Sequence, residues 1–113
     1  MDRTTQYRCL IQQLFKGSRY FLHGSSQAGV ETFTIFDETG DHYLLMDMGW
    51  AGKKRVQRTL LHVRLKNEKI WIEEDWTEEG IATEMLAAGV PKEDIVLAFH
   101  HPAMRAYSDF AVA

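Results

Sequence analysis

Two histidines, an arginine, a tyrosine and an aspartate crowd into the closing stretch LAFHHPAMRAYSDFAVA (97–113). Those side chains could hold a metal, move protons, or pin a folded tail. Metal binding needs convergence. His100 and His101 are neighbours in a run that reads as extended, and neighbours on a strand point to opposite faces. His23, His42 and His62 are scattered, and no histidine lies three or four positions from another. HExxH and EF-hand patterns are both missing. The expectation is no metal and no cofactor.

Covalent and acid–base chemistry find little more. Cys9 is the only cysteine, so neither an internal disulfide framework nor a cysteine-based zinc site can form within one chain. Ser108 lacks the Gly-x-Ser-x-Gly elbow. HGSSQAG (23–29) is a polar, glycine-bearing loop without the Lys of a phosphate cradle. Glu73-Glu74 and Glu78-Glu79 are consecutive and diverge, whereas acid–base catalysis needs convergent groups in a cleft. The chain does not read as an enzyme, and no catalytic residue is assigned.

Contact chemistry is better represented. Lys53, Lys54 and Arg55 form a basic run at a hairpin tip. They either solvate a turn and discourage edge pairing, or touch a phosphate backbone. Arg105 either pairs with Asp109, four residues on, or salt-bridges back to the body of the domain and pins the tail. FAVA (110–113) is apolar and should dock, within the chain or against a partner.

The elements that must position these groups follow from periodicity. With 113 residues, 45% hydrophobic and 12% aromatic, the chain reads as a single domain spanning 1–113 with one modest core. Its net charge of −3 argues against holding DNA unaided. No signal peptide or membrane-length apolar run is visible, so a cytosolic location is the default.

Tyr7, Leu10, Ile11, Leu14 and Phe15 make one stripe of a helix over roughly 4–16. Runs 30–38, 41–50, 55–66 and 69–75 read as strands, linked at Thr39-Gly40, at AGKK (51–54) and at Asn67-Glu68. Thr77 suits an N-cap with Glu78 and Glu79 in the first turn, and Gly89 suits the stop. DIVLAFH (94–100) reads as a fifth strand, either a parallel return or a separate edge element. The fold class is α+β: a helix, a four-stranded antiparallel meander, a second helix, a fifth strand and a short tail.

Turn lengths set a register. They put Ile35 opposite Leu44, Phe33 opposite Met46, Leu44 opposite Leu61, Val63 opposite Ile72 and Leu65 opposite Ile70, all on one face. The other face then pairs Phe36 with Tyr43, Leu45 with Leu60, Asp47 with Arg58, His62 with Glu73 and Arg64 with Trp71. Arg64 over Trp71 is a cation–π contact worth about 0.5–1 kcal/mol if exposed. Aromatic and arginine anchors in a polar frame are typical of interface hot spots. Either one helix covers each sheet face, or a second subunit or another protein covers part of this one.

IFDETGDHYLLMDMGW, LHVRLKNEKIWIEED and GVPKEDIVLAFHHPAMRAYSDFAVA closely resemble the XisI family, the fdxN-element excision controlling factor best known from filamentous cyanobacteria. The resemblance runs from QYR in the first helix to FAVA. It carries Asp37, Asp41, His42, Tyr43, Gly49, Trp50, His62, Lys66, Asn67, Lys69, Ile70 and Trp71. It also carries the Gly89-Val90-Pro91-Lys92 turn and, in the tail, His100, Pro102, Arg105, Tyr107, Phe110, Ala111 and Val112. Two departures stand out. Glu68 replaces the glycine expected after Asn67, and Ser108-Asp109 stand where Thr-Glu is expected.

The resemblance implies a non-enzymatic accessory role in developmentally controlled excision of a DNA element, in heterocyst differentiation. A recombinase does the cutting, and a nuclease-like XisH companion is the partner. The family supplies no catalytic residues to transfer. The expected contact residues are Phe36, Tyr43, Arg64 and Trp71 on the sheet and His100, Arg105 and Tyr107 on the tail. A homodimer is expected, with DNA touched only indirectly. The competing reading is direct backbone contact through Lys53, Lys54 and Arg55 at the hairpin tip, together with Arg58, Arg64 and Lys66.

Overall fold

The computed structural model describes residues 2–17, 28–77 and 80–113. Helix α1 spans Arg3–Gly17. Its start is fixed by the Asp2 carboxylate, which accepts from the Thr5 amide at 2.7 Å. Tyr7, Ile11 and Phe15, spaced by four, point inward and are buried. Each aliphatic or aromatic side chain fully withdrawn in this way contributes about 1.5–3 kcal/mol.

Strands β1 (Val30–Asp37), β2 (His42–Ala51), β3 (Lys54–Lys66) and β4 (Lys69–Asp75) form an antiparallel meander. Strand β5 (Ile95–Leu97) lies at the edge beside β4 and parallel to it. Of the two expectations for the fifth strand, the parallel return is the one found. It is three residues long rather than seven, because the chain turns after Leu97. Helix α2 (Ile81–Ala87) bridges β4 and β5. The architecture is the α+β arrangement expected.

Two element boundaries differ from expectation. AGKK does not form a four-residue loop: Ala51 pairs with Lys54, leaving only Gly52-Lys53 between the strands. Thr77 does not cap α2. The carboxylate of Asp75, at the end of β4, accepts from the amide of Thr77 and, at 2.7 Å, from that of Ile81. A strand end thereby holds the helix start. The expected roles of Glu78 and Glu79, and most of the 23–29 loop, lie outside the described residues.

The register holds near each turn and slips between them. Ile35 faces Leu44, Phe33 faces Met46 and Phe36 faces Tyr43. Asp47 faces Arg58, as expected, but beyond Met46 the pairing shifts by one. Leu45 then lies opposite Leu61, not Leu60, and Leu44 opposite His62, not Leu61. Leu60 is the extra residue of a β-bulge, and it packs against the core partly buried. A second bulge follows. Val63 faces Ile72 and Arg64 faces Trp71, but His62 lies opposite Glu74, not Glu73.

The bulges re-sort the two faces. Tyr43 and Leu45 join Leu61, Val63, Leu65, Ile70 and Ile72 on one face, with Phe36 packed alongside. Tyr7, Ile11 and Phe15 of α1 and Ile81 and Met85 of α2 belong to the same cluster. Both described helices therefore cover a single side of the sheet. The alternation leaves Phe33, Ile35, Leu44, Met46, His42, His62, Arg64 and Trp71 on the other side.

Candidate interaction surface

The side of the sheet away from the helices has two halves. Over β4 and β5 lies the tail, whose 3₁₀ segment spans Pro102–Tyr107. Arg105 fixes it. Its Nε donates to the His100 carbonyl at 3.1 Å, Nη1 to that of Val112 at 3.3 Å and Nη2 to that of Ala98 at 3.3 Å. The guanidinium also lies 5.6 Å from the centre of the Trp71 ring. The Ala111 amide donates to the Ile95 carbonyl at 2.9 Å, adding a one-residue parallel bridge to the sheet edge. Lys69 Nζ donates to the Ala113 carbonyl.

Arg105 pins the tail, as one of its two expectations had it, but through backbone carbonyls and the Trp71 ring rather than a salt bridge. Asp109 pairs instead with Lys92, at 3.6 Å. Phe110 is partly buried against the core. Tyr107 does no holding, since it is 83% exposed.

Trp71 is the centre of the covered half. Arg64, Lys66 and Arg105 place cations 5.7, 5.0 and 5.6 Å from its ring. Its indole N–H donates to the Lys66 carbonyl at 3.1 Å. Arg64 is also ion-paired with Glu73, at 2.9 Å. Trp71 is only 8% exposed and Val96 beside it is fully buried, both outside the main core cluster. The tail thus creates a small second core on the far side of the sheet.

The half over β1 and β2 has no described helix or tail on it. Its apolar side chains are Phe33, Ile35, Leu44 and Met46, with Ile35 44% exposed. Between the halves sit His42 and His62, whose ring nitrogens Nδ1 and Nε2 are 3.0 Å apart. One must donate while the other accepts, so the contact requires a neutral ring. Burial first, and His42 beside it second, pull the His62 pKa below its ordinary value.

The expected contact residues therefore separate. Arg64, Trp71 and Arg105 come together on the far side. Phe36 and Tyr43 lie under the helices, and Tyr43 is fully buried. The cause is the Leu60 bulge, which changes which residues of β2 and β3 share a face. Tyr43 has a structural task instead. Its hydroxyl donates to Asp41 at 2.7 Å, and Asp41 takes a two-pronged contact from Arg8 at 2.9 and 3.2 Å. That knot ties α1 to the first hairpin turn. Hydrogen bonding from Arg8 holds the Asp41 carboxyl below its usual range.

The tail histidines are not on a strand. His100 stacks on Phe99, with ring centres 4.6 Å apart, and both side chains are exposed. His101 Nδ1 accepts from the Ala103 amide at 3.1 Å and starts the 3₁₀ turn. Lys53, Lys54 and Arg55 are exposed at the tip of the second hairpin, where Arg55 lies 5.3 Å over the Trp50 ring. Sequence reasoning missed the half-buried apolar patch on which no described helix or tail lies. The signal was present in Ile35 opposite Leu44 and Phe33 opposite Met46, which it assigned to a covered core.

Among the described residues no group of three or more His, Cys, Asp or Glu side chains could hold a metal ion. No described helix is long and apolar enough to cross a membrane. The arrangement is one of contact: a cation-ringed tryptophan under a strap, beside an apolar floor.

Comparison with known proteins bears on the same question. No curated protein matches the chain. Among solved structures, the fdxN element excision controlling factor XisI from Anabaena variabilis ATCC 29413 is similar. It has 47% sequence identity and a TM-score of 0.85, with 99% of this chain and 100% of that chain covered. A XisI-like protein from the same organism has 36% identity and a TM-score of 0.88, covering 96% of this chain and 98% of that chain. The family described as XisI protein matches residues 1–112, and on this agreement of sequence and fold the chain belongs to the XisI family.

Proposed function

We propose that the chain is a non-enzymatic accessory factor in control of site-specific excision of a DNA element, and that it acts by protein–protein contact. Its similarity to an fdxN element excision controlling factor from Anabaena variabilis supports the role. The proposed partner is a nuclease-like XisH companion, met by Arg64, Trp71, His100, Arg105 and Tyr107. The observation that carries the reading is the far side of the sheet: no described helix covers it, and it mixes apolar side chains with a cationic ring around Trp71. An acidic chain of net charge −3 also suits a companion with a basic, DNA-facing surface.

The test is co-elution of this chain with a purified companion, followed by Arg64→Ala and Tyr107→Ala. Trp71→Ala is a poor probe, because removing a buried tryptophan costs about 3–5 kcal/mol of stability in itself. Complex formation that weakens in both variants supports the reading. Absence of a complex, or a complex indifferent to both, removes it.

A second reading has one observation in its favour. Lys53, Lys54 and Arg55 stand exposed on a hairpin whose β3 strand runs 13 residues against 7 for β4. Such a projecting basic tip suits a DNA backbone. Binding through it would weaken steeply with added salt. Affinity that is flat in salt excludes it.

A further inference from the structure

The open side of the sheet is stepped. The tail forms a raised layer over β4 and β5, and β1 and β2 form a lower floor. Both levels are apolar on top. Phe99, Met104, Tyr107 and Val112 of the tail are each at least half exposed. The floor offers Phe33, Ile35, Leu44 and Met46. Large apolar side chains gathered on one side of a molecule mark a docking surface rather than scatter.

The two levels are also of opposite charge. The open-face charges of β1 are Glu31 and Asp37, both exposed, and that strand carries no base. The tail carries Arg105, while its acid, Asp109, is paired with Lys92. A raised, basic, apolar strip and a recessed, acidic, apolar floor therefore lie side by side on one face. A two-fold axis running along the strands, between two facing sheets, brings the β4–β5 side of each copy over the β1–β2 side of the other. Only that operation puts step on floor and base on acid twice over.

We propose that the occupant of the floor is the tail of a second copy, in a reciprocal two-fold dimer. Each copy's strip seats on the other's floor, which no described helix or tail of its own chain covers. The inference rests on the reading of this face as a contact surface and names one occupant for it. A companion protein would then meet the assembled pair. The test needs only this chain, so its outcome is separate from co-elution with a companion.

The experiment is light scattering of the purified protein across a concentration series, for the parent and two variants. Ile35→Glu charges the floor and Met104→Glu charges the strip. Both positions are exposed, so the fold should survive, which far-ultraviolet circular dichroism checks. The parent is expected to run as a dimer. Each variant should weaken pairing by roughly tenfold or more, equivalent to ~1.4 kcal/mol. Mixing the variants is decisive. A mixed pair keeps one unaltered step-and-floor contact, so the mixture should pair more tightly than either variant alone. A monomeric parent overturns the proposal. So does a dimer that Ile35→Glu breaks and Met104→Glu does not, which would be floor against floor. A mixture no tighter than its components overturns it as well.

Discussion

Replacing Arg105 with methionine tests the clasp directly. Methionine keeps an unbranched apolar stem over Trp71 but removes every donor. Three hydrogen bonds disappear, to the carbonyls of Ala98, His100 and Val112 at 3.1–3.3 Å. Exposed bonds of this length contribute about 0.5 kcal/mol each, the low end of the usual range. The cation over the Trp71 ring contributes a further ~0.5–1 kcal/mol. The sum is about 2 kcal/mol, or a roughly 30-fold rise in the population of tail-open molecules.

The reporter is the Ala111 amide, bonded to the Ile95 carbonyl at 2.9 Å. Its hydrogen exchange should quicken about 30-fold in Arg105→Met, following the shift in opening equilibrium. Amides shared by β2 and β3 should keep their rates. Arg105→Lys should fall between, since one ammonium cannot reach three carbonyls at once. Unchanged exchange at Ala111 would refute the clasp. An equal acceleration at every amide would refute it too, because the loss would then be of the whole fold.

Two further outcomes follow from the first hairpin and the third turn. Asp41→Asn should lower stability by about 1–2 kcal/mol at neutral pH, since a hydrogen-bonded charge becomes a neutral amide. The Asp41 carboxyl is held below its usual range in the fold. Its stabilisation is therefore fully present above the unfolded value near ~3.9, and is lost as pH falls through the folded one. The gap between parent and variant, read from urea midpoints, should close toward pH ~3. A gap independent of pH contradicts the assignment. Glu68→Gly should stabilise, because Glu68 sits at φ +62°, where a side chain strains the backbone. Relief of about 1 kcal/mol should raise the melting temperature by roughly 4–8 °C. A lowered melting temperature would mean that the Glu68 side chain has a compensating contact.

Much of the architecture was readable because local signals sufficed. The stripe of Tyr7, Ile11 and Phe15 gave α1, and short turns gave the four-stranded order. The bulges were not readable. A bulge adds one residue to one strand, and alternation looks normal on either side of it. Periodicity could not expose the slip at Leu60, because β2 is apolar on both faces: Tyr43 and Leu45 on one, Leu44 and Met46 on the other. Counting from turns assumes an unbroken ladder, so it placed Tyr43 and Trp71 together when they lie on opposite sides. The pairing of Arg64 with Trp71 survived, since both lie between the second bulge and the Asn67-Glu68 turn. Helix α2 began later than expected for a related reason. The group that anchors its first amide, Asp75, belongs to the preceding strand and is six positions away in sequence.

The Tyr7 hydroxyl donates to the buried carboxylate of Asp94, across 87 positions of sequence. That separation governs how the protein emerges from a ribosome. The hairpins can form as they are made, and α1 can dock on them through Arg8 and Asp41, but the Tyr7 hydroxyl must wait for Asp94. Elongation at ~5–20 residues per second makes that wait about 4–17 s. Throughout it Trp71, on the side away from α1, lacks its tail, and nascent chains on one messenger carry greasy surfaces close together. The arrival of Asp94 and of the tail behind it is thus what brings the vulnerable interval of synthesis to a close.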